Sequence, residues 1–133
     1  MSAVSHERLG FFAKRRSVLP NPHSLAGFDG NGRSRLRSEW GFSDEHFVIG
    51  HVARVHPMKD HAGLLRAIEM AAAANPNIRA VLCGAGTETL PIPETLPPYV
   101  RALGPRDDVN ALMSACDIGV VSSAWGESLP NVL

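Results

Sequence analysis

From Phe47 onward, short apolar runs alternate with stretches whose apolar residues recur at helical spacing. FVIGHVAR reads as a strand. The helix after it takes Asp60 as its N-cap, sets Leu64, Ala67, Ile68, Ala71 and Ala72 on one face, and is stopped by Asn75-Pro76. IRAVLCG is a continuous apolar run bounded by Gly84, and the Pro-rich stretch from Ala85 to Pro98 is expected to hold no regular structure. YVRALG reads as a short strand, DDVNALMSACD as a short helix starting near Asp107, and IGVVSSA as another buried strand. Strands apolar throughout and separated by helices imply parallel crossovers with helices on both faces of one sheet, an α/β fold. Residues 1–45 read differently, being rich in Pro, Gly, Asn and Arg. There SVLPNP suggests a strand running into a turn, and GNGRSRLRSEWGF a short helix closed by Gly41. The expected division is a linker with small elements over 1–45 and the α/β domain over 46–133.

Composition narrows the class. The 133 residues are 44% hydrophobic and 20% charged, with a mean hydropathy of -0.03, as in an ordinary globular chain. Cys83 and Cys116 are too few for a disulfide framework and lack the paired spacing of a zinc site, which favours a reducing compartment. No apolar run reaches the roughly 18 residues of a membrane span, and Met1 to Lys14 has no signal pattern, so a cytoplasmic location is expected. The net charge is zero, yet residues 1–40 carry seven Lys/Arg against three Asp/Glu. That basic front is either a solvated surface or a face for anionic lipid or phosphate, which leaves peripheral contact with the inner face of a membrane open.

In an open parallel sheet, ligands bind outside the carboxyl ends of the strands, so the loops leaving each strand carry the candidate chemistry. In ARVHPMKD, Arg54 ends a strand and Lys59 lies at the mouth of the next helix. A guanidinium fork, an ammonium and unpaired backbone N–H groups together favour phosphate, although two exposed surface cations would have the same spacing. In CGAGTETLP, Gly84 and Gly86 open like a dinucleotide fingerprint, but Thr89 occupies the third glycine position, so a tight turn is expected. LGPRDDV places Arg106 beyond a strand as a ligand candidate and Asp107 at a helix start, where capping accounts for it. SSAWGESLPNVL brings Glu127 to the end of the last strand, where a carboxylate can accept hydrogen bonds from sugar hydroxyls, although taken singly a loop glutamate is usually just solvated. His51, His56 and His61 recur at five-residue spacing, but no single face is expected to present them as metal ligands. The chain lacks G-x-S-x-G, a P-loop and H-E-x-x-H, which argues against serine hydrolases, P-loop kinases and zinc peptidases. It also lacks the aromatic and basic platform of a nucleic-acid binder.

Taken in order, VLPNP, FVIGHVARVHPMKDHAGLLRAI, AVLCGAG and VRALGPRDDVNALMSACDIGVVSSAWGESLPNVL resemble the donor-binding half of family 4 glycosyltransferases, the group 1 enzymes of the GT-B fold. The resemblance implies a Rossmann-like parallel sheet, transfer of a sugar from a nucleotide-diphosphate donor with retention of configuration, and no required metal or other cofactor. It assigns the catalytic set to Arg54, Lys59 and Glu127. Arg54 and Lys59 match the residues that hold the donor diphosphate. Gly104 to Arg106 match the loop beside the base, Glu127 the glutamate on the donor sugar, and Ser128, Leu129 and Pro130 the backbone lying against sugar or phosphate. The implied role is synthesis of a polysaccharide or glycolipid.

The pattern also departs from the family. The second glutamate of the usual Glu-x7-Glu motif would fall at position 135, beyond Leu133, and Asn21-Pro22 stands where Asn-Gly is usual. The amino-terminal domain that carries the acceptor site is missing, so the chain reads as a truncated, inactive fragment, an incomplete half of the GT-B fold. A nucleotide-binding module without catalysis, or an interaction fragment that associates through an unfinished sheet edge, remain alternatives.

Overall fold

A computed structural model describes residues 8–10, 30–90 and 99–126. The strand expected at SVLPNP lies outside them. The elements are α1 (Gly30–Glu39), β1 (Phe47–Val52), a 3-10 turn (Pro57–Lys59), α2 (His61–Ala74), β2 (Ile78–Cys83), a second 3-10 turn (Thr87–Thr89), β3 (Val100–Ala102), α3 (Val109–Ala115) and β4 (Ile118–Gly119). All strand pairs are parallel and the sheet order is β3-β2-β1-β4. β1 pairs with β2 from Phe47↔Ile78 to Val52↔Cys83, and its other edge takes β4 at Ile49↔Ile118 and Gly50↔Gly119.

The side-chain period of two splits β1 between two layers. Ile49 faces α2, where Leu64, Ile68 and Ala72 close over Ile78, Ala80 and Leu82. Val48 faces the other way, into a cluster of Leu36, Trp40 and Phe42 from α1 and its exit with Leu112 and Ala115 from α3. Helices therefore cover both faces, and the fold is the expected α/β, Rossmann-like one.

α2 follows its sequence signals. Asp60 Oδ1 accepts the Gly63 N–H (3.0 Å), and the Asn75 N–H closes the last turn on the Ala71 carbonyl (2.9 Å). Its buried stripe is His61, Leu64, Ile68 and Ala72. Ala67, expected on that face, is exposed, because α2 meets the sheet along a narrower stripe that starts one turn earlier.

Other elements depart further. α1 ends in a Schellman motif, with Gly41 at φ +75°, its N–H bonded to Ser38 O, and the Phe42 N–H bonded to Arg37 O. Leu36, Trp40 and Phe42 are then core residues, so this stretch contributes to the core where composition suggested only a connection. α3 begins at Val109, near Asp107 as expected, with Asp108 at the N-cap position. The stretch expected to be irregular after Ala85 contains the Thr87–Thr89 turn. The strand expected to be buried at IGVVSSA is reduced to Ile118–Gly119, both exposed, since among the described residues β4 pairs with β1 alone.

α1 is fastened to the sheet by charge as well as packing. Arg37 is 1% exposed and donates to Ala115 O (2.9 Å), His46 O (2.9 Å) and Asp117 Oδ2 (2.7 Å). Asp117 also takes the Val48 N–H (2.6 Å) and Arg33 (2.5 Å). These donors hold its carboxyl below the usual carboxylate range against the opposing effect of burial. Both cysteines are free and buried, and burial pushes the Cys116 thiol up to about 11. Among the described residues no helix is long and apolar enough to cross a membrane.

Candidate donor-binding site

The strand order identifies the crevice. From β1 the chain steps outward to β2 and β3, then returns to the opposite edge of β1 as β4, so the order reverses between β1 and β4. At such a switch point the loops leaving neighbouring strands diverge and open a cleft at their carboxyl ends. Here those loops are 53–60 and 120–126.

Backbone contacts bind the neighbouring loops into one rim. Ala53 N bonds Cys83 O, Val55 N bonds Ala85 O, and Gly84 N bonds Gly104 O, at 2.8 to 2.9 Å. Gly84, at φ +137°, allows this approach, since a Cβ there would stand 2.3 Å from Ala53 O. Gly86 is also at positive φ, as a tight turn requires. Thr87, fully buried, accepts the Gly104 N–H on Oγ1 (3.0 Å) and donates to Gly84 O (3.0 Å). That threonine joins the second and third loops, and its spacing after the glycines gave no sign of it.

Across the switch point the contacts are equally direct. Ser122 Oγ donates to Lys59 O (2.6 Å), and the Ala124 N–H to Met58 O (2.9 Å). A Cβ on Gly126 would meet Met58 Sδ at 2.9 Å, so the chain reaches residue 126 lying against the Pro57–Lys59 turn. Arg54 is exposed and Lys59 half-buried on this rim. Asp60, at φ +44°, is the one non-glycine residue of positive φ among those described. It ends the 3-10 turn and caps α2 at once.

The sequence-expected site residues fare differently. Arg54, Lys59 and Gly104 come to the carboxyl end of the sheet. Arg106 reaches the same rim, but its guanidinium is taken up by Asp108 (two bonds of 2.7 Å) and Glu39 (3.0 Å), which raise its pKa. Those pairs leave its side chain a strut between α1 and α3. Asp108, not Asp107, stands at the α3 N-cap position, and its side chain serves Arg106 instead of capping. Glu127, Ser128, Leu129 and Pro130 lie outside the described residues.

Two histidines set apart in the sequence do meet. His51 and His61 pack edge to face with ring centroids 5.0 Å apart, while His56 is exposed and caps the 3-10 turn through the Met58 N–H. No group of three or more metal-ligating side chains occurs among the described residues.

A parallel sheet with a switch point defines an open α/β class that takes ligands at the carboxyl ends of its strands, and comparison with known proteins narrows it. Residues 46–133 match the family described as "Glycosyl transferases group 1", and the chain belongs to that family. It is 32% identical over 127 residues to EpsF of Bacillus subtilis (strain 168), named as a glycosyltransferase, covering 90% of this chain and 33% of that protein. The crystal structure of Anabaena Alr3699/HepE in complex with UDP-glucose is similar at 29% identity and a TM-score of 0.65, over 78% of this chain and 30% of that one. The same protein with UDP and glucose matches at a TM-score of 0.62. The fold is that of GT-B glycosyltransferases, and the chain spans about a third of the length of these relatives.

Proposed function

We propose that the chain is the donor-binding portion of a retaining, family 4 glycosyltransferase that moves a sugar from a nucleotide diphosphate to an acceptor in polysaccharide or glycolipid synthesis. One observation carries the reading. The turn bearing Lys59, just after Arg54, is fastened to residues 122–126 across the switch-point crevice. Cleaving the glycosidic bond builds negative charge on the leaving diphosphate, so fixed cations there favour the transition state over the ground state. Glu127, one residue beyond Gly126, is the sugar contact in this reading, with Ser128, Leu129 and Pro130 beside it. The loop of Gly104 to Arg106 lies beside the base in this reading, with Gly104 tying it to the rim through Gly84 and Thr87. No metal takes part.

UDP-glucose is the first donor to test, because HepE was crystallised with it. The acceptor site belongs to a further domain, and orienting donor against acceptor accounts for about 7–11 kcal/mol of such a barrier. The 133 residues alone therefore bind donor without turning it over. Calorimetry with UDP, GDP and ADP, each with and without a linked sugar, tests the binding. An enclosing full-length transferase whose Glu127→Ala variant loses turnover but keeps UDP affinity supports the assignment. Absence of saturable binding by any nucleotide diphosphate refutes it.

A further inference from the structure

Alternation along β1 sets His51 on the same face as Ile49, at the strand's carboxyl end. α2 runs back over that face, and its buried stripe begins at His61. The two imidazoles therefore meet under the switch-point crevice, 2% and 5% exposed. His51 Nδ1 lies 2.9 Å from Val120 O. A carbonyl can only accept, so Nδ1 carries the proton and Nε2 is bare. Val120 is also held through its N–H to Gly50 O (2.8 Å). It is the root of the segment whose next residues, Ser122 and Ala124, grip Lys59 and Met58.

We propose that His51, backed by His61, is a positioning residue for donor binding: the neutral imidazole fixes residues 120–124 against the Lys59 turn, and a proton on the pair loosens the crevice. The proposal rests on the donor-binding reading above.

The surroundings offer a cation little. His51 Nε2 and Ser123 Oγ are buried without a hydrogen-bond partner among the described residues. The Ala53 backbone favours a protonated His61 but makes no well-aligned hydrogen bond with it. Of the charged groups facing the pair, Lys59 disfavours a proton on either ring, and Asp60 favours one on His61 alone. Residues 118–126 contribute no charged side chain. Burial is the largest influence on both rings and holds them below the ordinary histidine value. Above that value, about 6.5, the pair is neutral and its contribution is complete. The contribution is lost as pH falls from there through the depressed folded values.

The experiment has two arms on the full 133-residue chain. In histidine-labelled protein, long-range proton–nitrogen spectra are expected to show the Nδ1–H tautomer of His51 at pH 7.5. Titration should come below about 6.5, with the amides of Val120, Ser122 and Ala124 moving along the same curve. An Nε2–H tautomer, or amides that ignore the His51 titration, overturns the proposal whether or not any variant folds. In the second arm UDP binding is measured at pH 7.5 and 5.5. His51→Ala should bind about fivefold more weakly at pH 7.5, as for one lost hydrogen bond. His51→Asn, which can donate to Val120 O but takes no proton, should recover most of that loss and fall less than wild type at pH 5.5. Protonation of UDP itself is common to all the proteins and cancels in this comparison. Wild type that binds UDP with His51→Ala matching it at both pH values sinks this proposal alone. Wild type that binds no UDP sinks the donor-binding reading, and this proposal with it.

Discussion

Arg37, near the amino end of the sheet, and His51, at its carboxyl end, are almost equally enclosed, but their surroundings treat positive charge in opposite ways. Arg37 donates to four backbone carbonyls and a carboxylate, and that carboxylate also takes Arg33 and the Val48 N–H. His51 has one carbonyl, a second imidazole at its ring and a bare nitrogen. A buried ion with every bond made locks one geometry. A buried neutral ring with spare hydrogen-bonding capacity holds a geometry that a proton or ligand can alter. The amino end thus fastens the helices to the sheet, and the carboxyl end keeps polar capacity beside the crevice.

The strongest way to break that contrast is at Arg37. Arg37→Ala empties a fully enclosed side-chain site and takes the donor from the Ala115 and His46 carbonyls, while Asp117 keeps Arg33 and the Val48 N–H; the loss should be about 2–4 kcal/mol, read as a lowered midpoint in urea. The same network sets an acid limit. Asp117 has a depressed pKa, so its contribution is complete above the ordinary carboxylate value of about 3.9 and is lost as pH falls through the folded value. Loss due to the histidines starts higher, below about 6.5. Thermal melts from pH 7 to 3 should therefore show two descending stages, and a flat profile from 7 to 5 would remove the histidine stage.

A smaller effect, confined to binding, is expected at the crevice. Arg54→Ala should weaken UDP binding at least about tenfold, for a charge-assisted contact worth roughly 1.5–3 kcal/mol. Arg79→Ala should not, because Arg79 sits near the amino end of β2, bonded to Pro76 O and stacked over Phe42. Equal losses in calorimetry would move the site away from the carboxyl end.

The smallest effect belongs to Asp60. Asp60→Ala removes the α2 cap and should cost about 1 kcal/mol, while Asp60→Asn, which keeps a capping oxygen and tolerates positive φ, should cost only a few tenths. Urea midpoints that fall equally for both would assign the carboxylate charge, not the cap, to the stability of this turn.

Much of this was legible along the chain because it is local. An N-cap three residues before the N–H it receives, a helical stripe, a Gly41 stop and apolar runs such as IRAVLC depend on neighbours within a few positions. That information placed α1, β1, α2 and β2, and it set Arg54, Lys59 and Gly104 in loops that leave the strands. Local rules failed where one side chain had two possible uses or where burial depends on remote neighbours. Arg106 looked available because an acidic residue at the helix start reads as a cap, whereas Asp108, two positions on, takes two of its bonds and Glu39, 67 positions away, takes a third. IGVVSSA looked buried because the pattern does not say which strands receive two neighbours.

By itself, then, the sequence determined the element types, the parallel class and the loops that carry cations, since caps and periodicity are set by covalent spacing. Only the tertiary structure decided the order β3-β2-β1-β4, hence the position of the crevice, and the meeting of His51 with His61. Strand order and ring contact arise when separate hydrophobic faces are buried against one another, and no spacing within a single element encodes which faces will meet.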